Sequence, residues 1–218
     1  SSYADAIVIR TFAQQTLEEM AKAADAPIIN ALSNEHHPCQ ALADLLTLRE
    51  HFGALAGLRL AYVGDGNNVA HSLIEAGALM GMHIVVATPS GEQPDADIVA
   101  LARDIAAEHG GSITVTSDPR AAVAGADAIY TDVWVSMGAE AGAAQHLRDL
   151  APYQITSEII ALAQSQAVFM HCLPAHRGQE VTAEVIDGPQ SIVWAQAANR
   201  LPTEQAVISL FVTREWAA

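Results

Sequence analysis

Leu58-Arg59-Leu60-Ala61-Tyr62-Val63-Gly64-Asp65-Gly66-Asn67-Asn68-Val69 runs from an apolar strand through a glycine turn into the opening of a helix. That step, repeated down the chain, decides the fold class. Further candidate strands are His83 to Ala87, Ile113 to Thr116, Ala128 to Thr131, Ala167 to Met170 and Ile192 to Trp194. Helical segments separate most of them. In the clearest, Ile98, Leu101, Ala102 and Ile105 recur at i, i+3, i+4 and i+7. Apolar strands alternating with helices imply a mostly parallel sheet covered on both faces.

Upstream, Ala6 to Arg10 and Pro27 to Ala31 read as two more strands, with a helix between them on the face Leu17, Met20, Ala21 and Ala24. Two strands are too few for a stable sheet alone. They either join the later sheet or belong to a first domain whose opening is missing, and the second reading is preferred. A helix starts at Pro38, a residue suited to a first helical turn. Leu42, Leu45 and Leu46 form its apolar face, and Gly53 ends it. A last helix is expected from about Pro202 to Trp216, with Val207, Leu210 and Phe211 inward.

The formal net charge is −15, and Lys22 is the one lysine. Nucleic acids and anionic membranes need a basic footprint, so neither is an expected partner. Arginines can still make a local anion pocket inside an acidic envelope. No apolar run approaches a membrane span, and no signal peptide is visible. Two cysteines, Cys39 and Cys172, are too few for a disulfide framework and suit a reducing compartment.

The glycine turn superficially resembles a dinucleotide fingerprint. Val69 replaces its third glycine, and no acid ends the strand His83 to Ala87 to hold a ribose, so a nicotinamide oxidoreductase is disfavoured. Two readings of Asn67 and Asn68 stay open: helix capping, or a grip on a carboxylate at the helix N-terminus. His37-Pro38-Cys39-Gln40 at a strand-to-helix junction offers an imidazole and an amide that can polarise a carbonyl oxygen. Its spacing matches no common zinc pattern, so no metal is expected. Asp132 to Gly138 places an acid and a serine–glycine loop after a strand, a setting for an ammonium group. His171-Cys172-Leu173-Pro174-Ala175-His176-Arg177-Gly178 puts a thiol, two imidazoles and a guanidinium at another strand end. Ligands of open α/β sheets bind there. Arg10 and Arg200 are the best phosphate candidates, since arginine pairs bidentately with phosphate.

Together these motifs resemble the carbamoyltransferases, and most closely the ornithine carbamoyltransferases, from Arg10 to the final helix. The resemblance implies a Rossmann-like parallel sheet flanked by helices as the ornithine-binding domain, with a truncated α/β carbamoyl-phosphate domain. The expected boundaries are 1–37 for the partial first domain, 38–55 for a linker helix, 56–195 for the ornithine domain and 196–218 for a returning helix. It implies carbamoyl-phosphate contacts at Arg10, His37, Pro38, Cys39, Gln40, Cys172, Leu173 and Arg200. Ornithine contacts would be Asn68, Asp132, Ser136 and Met137. Cys172 would be the catalytic residue, taking a proton from the attacking δ-amine as a thiolate, while His37 with Arg10 or Gln40 steadies the carbonyl oxygen. No cofactor is implied; the implied partners are the substrates and, as a homotrimer, further copies of the chain, in the cytoplasm.

Two departures stand out. The family's early Ser-x-Arg-Thr-Arg phosphate cradle has no counterpart here, and Ala198 stands where relatives often carry a glutamate before Asn199-Arg200. The 218 residues are therefore expected to be the carboxyl-terminal part of such an enzyme, with little activity alone. The rival expectation is a non-catalytic amino-acid-binding or interaction module.

Overall fold

A computed structural model describes residues 2–135 and 143–213. The chain opens with β1 (Ile7–Arg10), α1 (Gln14–Ala23), β2 (Ile28–Leu32) and α2 (Pro38–Phe52). Then come β3 (Arg59–Val63), α3 (Asn68–Leu79), β4 (His83–Ala87), α4 (Ala96–His109), β5 (Ser112–Thr116), α5 (Pro119–Val123) and β6 (Ala128–Thr131). It continues through α6 (Ala143–Leu150), α7 (Ser157–Ile160), β7 (Val168–His171), α8 (Ala183–Ile186), α9 (Val193–Ala198) and α10 (Arg200–Thr213).

β3 to β7 form one parallel sheet in the order β5-β4-β3-β6-β7. The chain builds outward from β3 to β5, then returns to lay β6 on the other side of β3. The β3/β6 seam is therefore the topological switch point, where α/β sheets open a crevice at the carboxyl ends of their strands. β6 and β7 are buried along their whole length, as expected for strands covered on both faces. Leu60, Tyr62, Ile84, Val86 and Tyr130 face one core with α2, α3 and α4. Ala61, Val63, Val85, Ile129 and Phe169 face the other, with α5, α7 and α8.

β1 and β2 do not join this sheet; they pair in parallel with each other, Ile7 opposite Ile28. Three contacts tie the end of β2 to α3: Asn68 Nδ2 donates to Ser33 O (2.6 Å), His37 N donates to Ser72 Oγ (2.7 Å), and His71 Nδ1 lies 2.9 Å from Glu35 O. His71 Nε2 accepts from Asp95 N, so its Nδ1 carries the proton given to Glu35.

Three sequence expectations need correction. Ile192 to Trp194 is not a strand: Ser191 makes a single bridge to Phe169, and α9 begins at Val193. The buried face of α2 includes Gln40, Ala41, Asp44, Leu45, Thr47 and Leu48, whereas Leu42 is exposed. Polar partners, not leucine spacing, set that face. α10 buries Thr203 alone; Val207 and Phe211 are half-buried and Leu210 is exposed. Trp216 lies outside the described residues.

Gly66 explains the glycine turn without a nucleotide. A Cβ there would stand 2.3 Å from Pro94 N and 2.5 Å from Glu92 O, both backbone atoms. The Gly66 N–H donates to that same Glu92 carbonyl at 2.8 Å. Gly66→Ala should lower unfolding free energy by about 2–4 kcal/mol, because backbone on both sides must move. Urea denaturation checks this, and an unchanged midpoint would contradict the close approach.

Candidate active site at the switch point

Three strand ends meet at the seam. Asn67, after β3, caps α3 by accepting from Val69 N and Ala70 N at 3.0 and 3.3 Å. Its Nδ2 donates to Asp132 Oδ2 at 2.9 Å, just after β6. Tyr62 Oη also donates to Asn67 Oδ1, at 3.2 Å, so the orientation of this amide is fixed from both ends. Asp132 Oδ1 receives the Cys172 thiol at 2.8 Å, just after β7, and the backbone N–H of Val133 at 2.7 Å. Hydrogen bonds to a charged acceptor contribute about 1.5–3 kcal/mol each, roughly twice a neutral bond. The row Asn67–Asp132–Cys172 is thus a strongly held line across the sheet top.

The thiol differs from its expected state. Burial, and then the charge and hydrogen bond of Asp132, push the Cys172 thiol well above its ordinary range. Without ligand it is a neutral donor to Asp132, not a thiolate. His171 and Leu173 frame it. His171 Nδ1 accepts from Leu173 N at 2.8 Å, and Nε2 lies 3.3 Å from Glu180 Oε1, both side chains being buried. Glu180 also receives His176 N at 2.5 Å, which closes the loop onto the strand end. Leu173 holds φ +58°, a left-handed conformation that branched residues seldom adopt and that functional sites often contain.

The His37 to Gln40 motif starts α2 beside the other end of the crevice. His37 is buried, and its Nδ1 has no partner. Burial lowers its pKa to about 4, with Arg200 and Arg10 as further positive neighbours. Both arginines thus act on the imidazole, although Arg10 is exposed at the end of β1. Arg200 Nη1 donates to Gln40 Oε1 at 2.5 Å, and its Nε donates to Glu204 at 3.0 Å. Pro38 is the first residue of α2. Cys39 is buried, its thiol 3.4 Å from Asn30 O; burial and the charge of Glu204 push the thiol up, with Arg200 opposing them.

Of the expected site residues, Asp132 and Cys172 touch, and His37, Gln40 and Arg200 cluster. Asn68 Nδ2 donates to Ser33 O, and Asn67 is the asparagine that reaches Asp132. Ser136 and Met137 lie outside the described residues. Sequence reading missed Asp44, Gln196, Tyr130 and Glu180, four buried polar residues. The one available signal was Asp44 at i+4 from Gln40, which puts both on one helix face.

Asp132, His171 and Cys172 each place a donor atom within 4.8 Å of the others, as do Asp65, Glu92 and His146. In the first set Cys172 already bonds Asp132, and His171 Nδ1 is committed to Leu173. In the second, His146 stands 3.1 Å from Glu92 and 3.9 Å from Asp65. Among the described residues, no helix is long and apolar enough to cross a membrane.

Comparison with known proteins agrees with this geometry. Residues 56–211 match the Asp/Orn binding domain of the aspartate/ornithine carbamoyltransferases, and residues 1–50 match their carbamoyl-P binding domain. The chain belongs to the aspartate/ornithine carbamoyltransferase family. It is 56% identical over 212 residues to an ornithine carbamoyltransferase of Symbiobacterium thermophilum, covering 97% of this chain and 68% of that protein. The solved ornithine carbamoyltransferase of Pyrococcus furiosus superposes with a TM-score of 0.94 at 50% identity, over 97% of this chain and 68% of that one. The enzyme of Gloeobacter violaceus gives 0.90 at 49% identity, over 97% and 70%.

The state of His37 can be measured directly. Its folded pKa of about 4 lies below the ordinary 6.5, so the unfolded chain binds the proton first. As pH falls from 6.5 toward 4, this group weakens the fold. Asp44 and Asp65 are raised to about 6 by burial and act oppositely, holding protons in the fold that the unfolded chain releases near 3.8. NMR of imidazole-labelled protein should show His37 titrating near pH 4; a midpoint near 6.5 would contradict its desolvation.

Proposed function

We propose that this site transfers a carbamoyl group from carbamoyl phosphate to the δ-amine of L-ornithine, giving L-citrulline and phosphate. The observation that carries the reading is the Asn67–Asp132–Cys172 row at the switch point, with the His37–Gln40–Arg200 cluster across α2.

The residue chemistry fits each step. Arg10 and Arg200 supply positive charge beside His37 for a phosphate dianion. A neutral imidazole donates a hydrogen bond to the carbonyl oxygen as it becomes negative, and does not compete with the arginines for the phosphate. Asp132 takes the α-ammonium of ornithine. That ammonium offsets the carboxylate charge which helps keep Cys172 protonated, so ligand binding moves the thiol toward thiolate. The thiolate then receives a proton from the δ-amine, which is mostly protonated at neutral pH. Leu173 offers its backbone to the carbamoyl group, and the family resemblance assigns Ser136 and Met137 to the α-amino end together with Asp132. The domain limits are those of the sequence reading, 1–37, 38–55, 56–195 and 196–218. The same reading carries a homotrimer and a cytoplasmic site of action, in keeping with two free cysteines.

The chain spans about 68% of the relatives' length, and no Ser-x-Arg-Thr-Arg stretch occurs in it. The 218 residues alone should therefore yield little citrulline. A fusion supplying the third of the Symbiobacterium thermophilum relative that the chain does not match should form citrulline with ornithine and leave aspartate untouched. A fusion that folds but turns over neither acceptor would defeat the proposal; an ornithine-binding but inactive fusion would favour the amino-acid-binding alternative.

In that fusion Cys172→Ser should lower kcat by about a hundredfold, the usual range for a proton-transfer group. Cys39→Ser should stay within about threefold, since its thiol makes one weak contact with Asn30. Equal losses in steady-state assays would contradict the assignment of Cys172.

A further inference from the structure

Asp44 lies one turn beyond Gln40 on α2, with its side chain fully buried. A carboxylate is an expensive core residue unless its hydrogen bonds are used. Its Oδ1 accepts from Gln40 Nε2 at 2.8 Å and from Gln196 Nε2 at 2.6 Å, while Oδ2 has no partner. Gln196 Nε2 also reaches Tyr130 Oη, at 3.2 Å. The far ends of the two amides point in different directions. Gln40 Oε1 accepts from Arg200 Nη1, and Gln196 Oε1 accepts from His171 N at 2.9 Å, one residue before Cys172.

An amide whose nitrogen is held on a carboxylate cannot rotate by half a turn without placing oxygen against oxygen. One buried oxygen, acting with the Arg200 and His171 N–H groups at the far ends, therefore fixes which way two amides face. In the first half it keeps Gln40 presenting its oxygen on the Arg200 side. In the second it keeps Gln196 presenting an acceptor to the end of β7. We propose that Asp44 is a positioning residue for both halves of the site: it fixes the direction of the Gln40 amide and, through Gln196, the backbone that carries Cys172. The kinetic consequence rests on the carbamoyl-transfer reading; the positioning itself does not.

Gln40 turns its oxygen toward Arg200 and its Nε2 toward Asp44, which favours His37 with Arg10, of the two pairings the sequence leaves open, for steadying a negative carbonyl oxygen.

The test reads thiol accessibility in the 218-residue chain itself, so it needs no turnover. Iodoacetamide labelling rates of Cys172 and Cys39 are followed separately by peptide mass spectrometry under native conditions. Cys39 is a buried thiol on the same helix as Asp44 and reports general loosening. Asp44→Ala and Gln196→Met should raise the Cys172 rate relative to Cys39 by about fivefold or more, the equivalent of one lost hydrogen bond. Asp44→Asn keeps an oxygen acceptor and should stay within about twofold. An unchanged ratio in Asp44→Ala and Gln196→Met, or an equal rise at both cysteines, overturns the proposal. If Asp44→Ala does not fold, Gln196→Met decides.

In the fusion, Asp44→Ala should raise the KM for carbamoyl phosphate about tenfold and lower kcat, with the KM for ornithine changed less than about threefold and Asp44→Asn restoring the first two. An unaltered KM for carbamoyl phosphate would refute the Gln40 half. Absence of turnover in the unsubstituted fusion would count against carbamoyl transfer alone, leaving the labelling ratio to judge Asp44.

Discussion

The hydrogen bond from Cys172 to Asp132 is the constraint on which the site depends. It can form only because β6 and β7 are neighbours whose carboxyl ends finish level, with Thr131 opposite His171. Asn67 reaches the same carboxylate from β3, on the other side of β6. A thiol, a carboxylate and an amide from residues far apart in sequence thus become one row. Their convergence is a property of the strand order, not of any local motif. The row also sets the resting electrostatics: a half-buried thiol beside a carboxylate stays protonated, so its chemistry waits on a positive ligand.

α2 joins that row to the second cluster. Its first residues present His37 and Gln40, and its buried face carries Asp44 and Thr47. Asn199 reaches Thr47 Oγ1 and Glu50 from the end of α9, and Arg200 reaches Gln40 from the start of α10. The helix is held by polar contacts on the side where an ordinary amphipathic helix would place leucines. Buried polar networks of this kind give specificity of arrangement more than net stability. That suits a helix whose ends must hold two reactants in register, because misplacement by about 1 Å can cost two orders of magnitude in rate.

Much of the sheet was legible in the sequence for a physical reason. β3, β4, β6 and β7 are buried on both faces, so they read as short apolar runs between polar turns. Ile192 to Trp194 misled because its β-branched residues mimic a strand, while Gln196 is drawn into α9 by its bonds to Asp44 and His171. The leucine spacing of α2 misled for the related reason that Asp44 and Gln40 occupy the buried face. Asp132 and Cys172 were legible as polar residues at strand ends. The direction of Asn68 was not, because it depends on where Ser33 comes to rest after a separate sheet has formed. Gly66 looked like part of a phosphate turn, yet its role is the approach of the chain around Glu92 to Pro94.

The most direct test of the central claim is ligand protection of Cys172. In the fusion with saturating inorganic phosphate, ornithine should slow iodoacetamide labelling of Cys172, because the bound amino acid covers the thiol and the adjoining Asp132 carboxylate and keeps the reagent out. Aspartate should give no protection. Labelling of Cys172 that proceeds at the same rate with and without ornithine would contradict a diamino-acid pocket built on these three strand ends.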